Sequence, residues 1–126
     1  MKKILLVDDE QDQIFGIKTA LEETYKGEFE IIPAETGEKC ISLLSDGATP
    51  DLILLDIMMP EMSGWEVYDK IKDNPEWRHI PIVFLTARTD RIAENAGEFL
   101  GDDYIEKPVE IDQLKKRINN VLDKKT

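Results

Sequence analysis

One stretch of the sequence, from Asp51 to Gly64, restricts the fold more than any other. It begins with Leu52–Leu55, a continuous apolar run that ends at the carboxylate of Asp56. The run is too short for a helix and lies between Pro50 and Pro60, so it predicts a buried central strand of a parallel sheet. Open α/β sheets bind ligands at the carboxyl ends of their strands, which is where Asp56 would stand. From this stretch alone, a functional carboxylate and one that merely caps a turn are equally good interpretations.

Strand-like and helix-like patterns alternate along the rest of the chain. The apolar runs predict strands at Lys3–Val7, Phe29–Ile32, Leu52–Leu55, Ile80–Leu85 and Asp103–Glu106. Apolar residues at helical spacing predict helices at Gln11–Tyr25, from Thr36 to about Gly47, at Trp65–Lys72, within 89–101, and from Ile111 to Leu122. The second strand is expected at a sheet edge, because charged residues interrupt it and Pro33 ends it. Five such units predict an α/β sandwich with a parallel sheet and right-handed crossovers, as one domain over residues 1–126.

Charge and composition exclude several classes of function. The net charge of −11 repels a phosphate backbone, so we expect no direct binding to nucleic acid. The single Cys40 cannot form an internal disulfide and fits a reducing compartment, and the lone His79 excludes multi-histidine metal sites. No apolar run is long enough to span a membrane, and Met1-Lys2-Lys3 precedes only the short run Ile4–Val7. We therefore expect a cytoplasmic protein with no membrane partner.

Polar residues follow the predicted strands at their carboxyl ends. Asp8 and Asp9 follow the first strand, Asp56 the third, Thr86 the fourth and Lys107 the fifth. Each has an ordinary structural interpretation by itself, since acids cap helices and lysines lie in solvent. In a parallel sheet all these ends share one rim, where three carboxylates would repel one another unless a cation held them. Oxygen ligands suit Mg²⁺, and the ammonium and hydroxyl groups suit the oxygens of a phosphoryl group.

These residues resemble the receiver domain of two-component response regulators. The resemblance covers the chain from Lys3 to about Leu122 and rests on Asp8-Asp9, Asp56, Pro60, Gly64, Thr86-Ala87, Tyr104 and Lys107-Pro108. It implies a flavodoxin-like, doubly wound (βα)5 fold with strand order 2-1-3-4-5. It also implies phosphorelay signal transduction, in which the protein catalyses its own phosphorylation and dephosphorylation without turning over an external substrate.

The resemblance assigns roles to the acids. Asp56 would be the phosphoacceptor, receiving a phosphoryl group from a sensor histidine kinase or a histidine phosphotransfer protein. Asp9, Asp56 and the backbone carbonyl of Met58 would hold Mg²⁺ or Mn²⁺, and Asp8 would act largely through water. His79 is not expected to donate phosphate.

The resemblance also implies a conformational switch. Lys107 would pair with one phosphate oxygen, and Thr86 would donate its hydroxyl to another by moving inward. That movement would leave space for Tyr104, whose alternative interpretation is an edge aromatic that packs on its neighbours. The readout surface would be the predicted fourth helix, the fifth strand and the closing helix, which would bind an output partner or a second copy in a phosphorylation-dependent homodimer.

The resemblance also implies that two further positions affect the lifetime of the phosphorylated form. In the receiver fold the residues two beyond the phosphoacceptor and two beyond the threonine would flank the path of the hydrolytic water, and here they are Met58 and Arg88. A thioether is a weak acceptor and a guanidinium is only a donor, so neither orients water well. We therefore expect slow self-dephosphorylation, against the alternative that both side chains point to solvent.

Three other classes of protein fit the sequence less well than the receiver. A haloacid dehalogenase-type phosphatase needs a second aspartate two residues after the nucleophile, where Met58 stands. A flavodoxin needs a phosphate loop after the first strand, where Asp8-Asp9-Glu10 would repel the flavin phosphate. A pseudo-receiver, an interaction module not regulated by phosphorylation, would have lost an acid, the threonine or the lysine, and all are present.

Overall fold

Five parallel strands form one sheet in the computed structural model, which describes residues 1–86, 103–106 and 109–125. The strands are β1 (Lys2–Val7), β2 (Phe29–Ala34), β3 (Leu52–Asp56), β4 (Ile82–Thr86) and β5 (Asp103–Glu106). Their order is β2-β1-β3-β4-β5, which confirms the predicted order. Within the described residues the helices are α1 (Gln11–Thr24), α2 (Gly37–Ser45), α3 (Gly64–Asp73) and α4 (Ile111–Lys125). The helix predicted within 89–101 lies outside the described residues.

The strands carry apolar side chains on both faces, and this is why the sheet is covered by helices on both sides. Alternate residues of each strand enter opposite layers. Helices α1 and α4 cover one layer, whose strand residues include Ile4, Leu6, Leu52, Leu54 and Val83. Helices α2 and α3 cover the other, whose strand residues include Leu5, Val7, Ile53, Leu55 and Phe84. Each such buried side chain contributes about 1.5–3 kcal/mol of transfer free energy, so both layers stabilise the sheet.

The second strand is at the edge, as predicted, but it does not end at Pro33. β2 continues to Ala34, and Pro33 lies opposite Leu6 of β1. Proline is tolerated there because an edge strand needs hydrogen bonds on one side only. The other predicted strand and helix ends differ from the structure by a few residues at most.

Helices α2 and α3 each begin after a residue whose side chain caps the helix. Thr36 precedes α2 and its hydroxyl accepts a hydrogen bond of 3.0 Å from the backbone of Lys39. Ser63 precedes α3 in the same way and accepts one of 3.3 Å from Glu66.

Every helix in the described part of the chain is too short or too polar to cross a lipid bilayer.

Candidate functional site

Asp8 and Asp56 lie beside each other at the carboxyl rim of the sheet. Strands β1 and β3 pair in parallel, with Val7 opposite Leu55 at the end of the pairing. The next residue on each strand is an aspartate, and neighbouring strands are about 4.8 Å apart. The sheet therefore brings together two acids separated by more than forty positions in the sequence, as the rim hypothesis predicted.

Both aspartates are buried, with 0% of Asp8 and 2% of Asp56 exposed. They are the only buried polar or charged residues in the part of the chain that the structure describes. Each accepts a hydrogen bond from the backbone two residues further on: Asp8 from Glu10 at 2.9 Å, and Asp56 from Met58 at 3.1 Å. Burying ionised carboxylates is costly unless donors or a cation compensate their charge. Two such groups on adjacent strands are therefore a feature that fold stability alone does not favour.

The turn after Asp56 brings helix α3 close to that residue. Glu61 has a φ of 65°, a left-handed conformation that is uncommon for a residue with a side chain. The backbone N–H of Gly64 donates a hydrogen bond of 3.0 Å to the carbonyl of Ile57. A Cβ atom on Gly64 would lie 2.4 Å from the carbonyl oxygen of Asp56, a distance that side chains do not tolerate. Glycine is thus required here for close approach of the two backbone segments, whereas the left-handed conformation in the turn is taken by Glu61.

An acidic cluster shares Asp8 with the buried pair. Carboxylate oxygens of Asp8, Asp9 and Glu10 all lie within 4.8 Å of one another, and Asp9 and Glu10 are exposed while Asp8 is buried. Neighbouring oxygens around one octahedral Mg²⁺ ion, at bond lengths of about 2.1 Å, are about 3 to 4 Å apart. Small movements of the exposed side chains would bring the carboxylate oxygens to that spacing. The donor set, composed entirely of oxygen, fits a hard divalent cation.

Glu10 is a member of this cluster that the sequence interpretation did not include among its candidate ligands. The signal was present, because Asp8-Asp9-Glu10 is an uninterrupted run of acids directly after a strand. The backbone N–H of Met58, which contacts the Asp56 carboxylate, was also missed, since the prediction considered only its carbonyl.

The structure describes some of the other predicted site residues and leaves the rest undescribed. Thr86 is the last residue of β4 and pairs in register with Glu106 of β5. Tyr104 lies opposite Phe84 in the same pairing and is half-buried against the core layer under α2 and α3. Its carbonyl accepts a hydrogen bond of 3.0 Å from the guanidinium of Arg117 in α4. Lys107, Ala87 and Arg88 lie outside the described residues.

Comparison with known proteins identifies the class to which this fold and rim belong. The family model of the response regulator receiver domain matches residues 4–119. The chain therefore belongs to the receiver domain family of two-component systems.

Individual relatives agree with this assignment. The chain is 42% identical over 123 residues to a probable cyclic di-GMP phosphodiesterase of Vibrio cholerae, a match that covers 97% of the chain and 27% of the relative. It is 38% identical to the response regulator SaeR of Staphylococcus aureus, covering 97% of the chain and 51% of the relative. It therefore spans about half or less of the length of these relatives. A signal receiver domain of a signal transduction histidine kinase from Syntrophus aciditrophicus superimposes with a TM-score of 0.84 at 31% identity, covering 98% of this chain and 92% of that one.

Proposed function

We propose that this receiver domain accepts a phosphoryl group on Asp56 from a phosphohistidine of a sensor histidine kinase or a histidine phosphotransfer protein. The observation that carries the proposal is the burial of Asp56 beside Asp8 at the ends of adjacent strands. A carboxylate oxygen of Asp56 would attack phosphorus while the bond from phosphorus to the donor nitrogen breaks. The imidazole keeps the electron pair, and the protein gains an acyl phosphate.

We propose that the acids of the rim hold Mg²⁺ or Mn²⁺ for this reaction. Asp9, Asp56 and the carbonyl of Met58 would be ligands, with Asp8 acting largely through water. Glu10 is an added candidate, because its carboxylate lies in the same cluster as those of Asp8 and Asp9. When bound, the ion would offset the negative charge of the phosphoryl oxygens. The chain itself orients the nucleophile, since the Met58 N–H donates a hydrogen bond to Oδ1 of Asp56.

Signal output would follow by a shift between two conformations. Lys107 and the Thr86 hydroxyl would bind the phosphate oxygens, and the inward movement of Thr86 would open space for Tyr104. The half-buried position of Tyr104 on β5 supports this, because it lies between core and surface and its backbone contacts Arg117 of α4. A ligand or modification shifts such an equilibrium by its differential interaction with the two states. The output partner, or a second copy of the chain, would bind the surface formed by β5, α4 and the helix predicted within 89–101.

The test of the phosphoacceptor is the intact mass of the protein after treatment with acetyl phosphate or phosphoramidate. We expect one phosphoryl group per chain with magnesium present and none with EDTA. Asp56→Asn should not be labelled. Asp51→Asn is the matched control, because Asp51 is exposed and directly precedes the same strand. Its side chain accepts a hydrogen bond of 2.8 Å from the backbone N–H of Lys3, and the side-chain oxygen of asparagine can accept the same bond.

Labelling of Asp56→Asn at the parental level would contradict the assignment. A chain that takes up no phosphoryl group under any condition would instead be an interaction module not regulated by phosphorylation.

A further inference from the structure

The chain contains five sulfur atoms, from one cysteine and four methionines. All five residues lie in the described part of the structure, and they differ widely in exposure. Met1 is 76% exposed and Met58 is 51% exposed, whereas Met59 is 9% exposed and Cys40 is fully buried. Met62 is partly buried, so apart from the terminal residue Met58 is the most exposed sulfur-containing residue.

The remaining sulfur atoms are protected by packing or by their chemistry. Cys40 lies in the core layer under α2 and α3, where burial raises its pKa to about 12. The reactive thiolate is therefore scarce at neutral pH. Met59 belongs to the same layer. The sulfur of Met62 lies only 2.8 Å from the position that a Cβ atom on Gly37 would take, so it is packed against the start of α2.

The backbone of Met58 also contacts the proposed phosphoacceptor. Its backbone N–H donates a hydrogen bond of 3.1 Å to Oδ1 of Asp56. Asp56 is buried and Met58 is half-exposed, and this hydrogen bond links the two residues at the rim where a phosphoryl group would be attached. A chemical change at Met58 would therefore occur two residues from the proposed acyl phosphate.

We propose that Met58 is a site of modification by peroxides, and that its oxidation to the sulfoxide shortens the lifetime of the phosphorylated protein. In this step the sulfur lone pair attacks one peroxide oxygen, so an S–O bond forms as the O–O bond breaks. The leaving hydroxide takes the proton from the oxygen now bound to sulfur and becomes water, and the sulfur loses the two electrons that the peroxide gains. Methionine sulfoxide reductases reverse such a change, so the modification is a reversible switch. The effect on lifetime rests on the proposed phosphorylation of Asp56.

The expected direction follows from hydrogen bonding. A thioether sulfur is a weak acceptor, whereas a sulfoxide is polar and has an oxygen that accepts strongly. Met58 is two residues beyond Asp56, at a position expected to flank the path of the hydrolytic water, so an acceptor there should orient water toward the phosphorus atom better than the thioether does. One added hydrogen bond of ordinary strength in the transition state corresponds to about a 2- to 10-fold faster loss of the phosphoryl group.

The experiment treats the full chain with hydrogen peroxide, maps the oxidised residues by peptide mass spectrometry, and then phosphorylates it with phosphoramidate and magnesium. We expect oxidation at Met1 and Met58 well before Met59 and Met62. The oxidised protein should lose its phosphoryl group about 2- to 10-fold faster than the untreated protein. Treatment with methionine sulfoxide reductase before phosphorylation should restore the slower decay.

Met58→Leu is the control variant, compared with itself before and after peroxide. It keeps an apolar side chain of similar size and still carries Met1, so an effect of oxidation elsewhere would persist in it. We expect its decay to be insensitive to peroxide. Oxidation of Met59 or Met62 as fast as Met58 would overturn the site, and equal decay of the oxidised and reduced parent would overturn its role. Both of these outcomes can be distinguished from failure of the proposed function, because in that case neither the oxidised nor the reduced protein would be phosphorylated.

Discussion

Gly64 and Asp56 contact each other through their backbones, across the turn that joins β3 to α3. A Cβ atom on Gly64 would lie 2.4 Å from the carbonyl oxygen of Asp56 and 2.7 Å from the Cα atom of Ile57. The position of the proposed phosphoacceptor therefore depends on the absence of a side chain eight residues later.

The first prediction is that Gly64→Ala displaces this turn. The added methyl group must push the backbone of Asp56 or the start of α3 aside, and such overpacking costs about 1–3 kcal/mol of unfolding free energy. Labelling of Asp56 by phosphoramidate should slow as well. Urea unfolding and intact mass measure the two effects.

Gly16→Ala is the matched control for this substitution. Gly16 lies in α1 with nothing within 4 Å of its Cβ position, so alanine should stabilise the helix by about 0.5–1 kcal/mol. Labelling should be unchanged. A Gly64→Ala protein as stable as the parent would show that the turn adapts to a side chain.

The second prediction concerns divalent cations and the repulsion among the acids. Magnesium at about 100 times its Kd should stabilise the native protein by about 2.7 kcal/mol and raise its Tm. Asp9→Asn removes an exposed charge from the cluster, so it should leave the metal-free protein as stable as the parent or more stable, and it should remove most of the magnesium effect. Thermal melting with magnesium and with EDTA measures both.

Asp12→Asn serves as the control, because Asp12 is an exposed acid in the first turn of α1 and is not part of the cluster. It should keep the full magnesium effect. If metal-free Asp9→Asn were clearly less stable than the parent, the acids would not share one site.

The third prediction is a pH dependence of stability at Glu22. Burial raises the pKa of Glu22, but the N–H of Ile31 and the ammonium of Lys18 outweigh it and leave the pKa below the ordinary value of 4.5. Since the folded state has the lower pKa, its stabilisation is present above about pH 4.5 and is lost as the pH falls through the folded value.

Glu22→Gln should therefore cost about 0.5 kcal/mol at neutral pH, a small value because the pair is partly screened by solvent. The cost should shrink as the pH falls below 4.5 and the carboxylate becomes protonated. Chemical unfolding at neutral pH and at a series of lower pH values measures it. Glu23→Gln is the control on an exposed neighbour in the same helix, and an equal effect there would remove the assignment to the ion pair.

The fourth prediction concerns the lifetime of the phosphorylated form. Met58→Asn with Arg88→Glu supplies groups that accept hydrogen bonds from water at the two positions that the sequence predicts to flank its path. Hydrolysis should become faster by on the order of tenfold, which corresponds to about 1.4 kcal/mol in the barrier. Loss of the phosphoryl group after removal of the donor is the measurement, and unchanged decay would show that these two positions do not control the rate.

The sequence by itself determined the layers of the fold and the strand end that carries the site. Runs such as Leu52–Leu55 lack a polar face, so they must be buried on both sides, and prolines and glycines mark where they end. The position of a carboxylate at the end of the third run therefore follows from the order of residues alone, whereas the end of β2, which continues through Pro33, was wrongly predicted. The local pattern of apolar and polar residues predicts which strands are buried and where they end, because both properties depend on residues that are close together in the chain.

Tertiary structure decided which of the neighbouring acids is buried. Asp8 and Asp9 are adjacent and chemically identical, yet Asp8 is buried and Asp9 is exposed. The difference arises because parallel pairing of β1 with β3 places Asp8 next to Asp56, while the chain turns outward toward Glu10 and α1. The contact of Gly64 with Asp56 likewise depends on how α3 packs under the end of the sheet. Such contacts are set by hydrogen bonding and packing between segments distant in sequence, which no local pattern records.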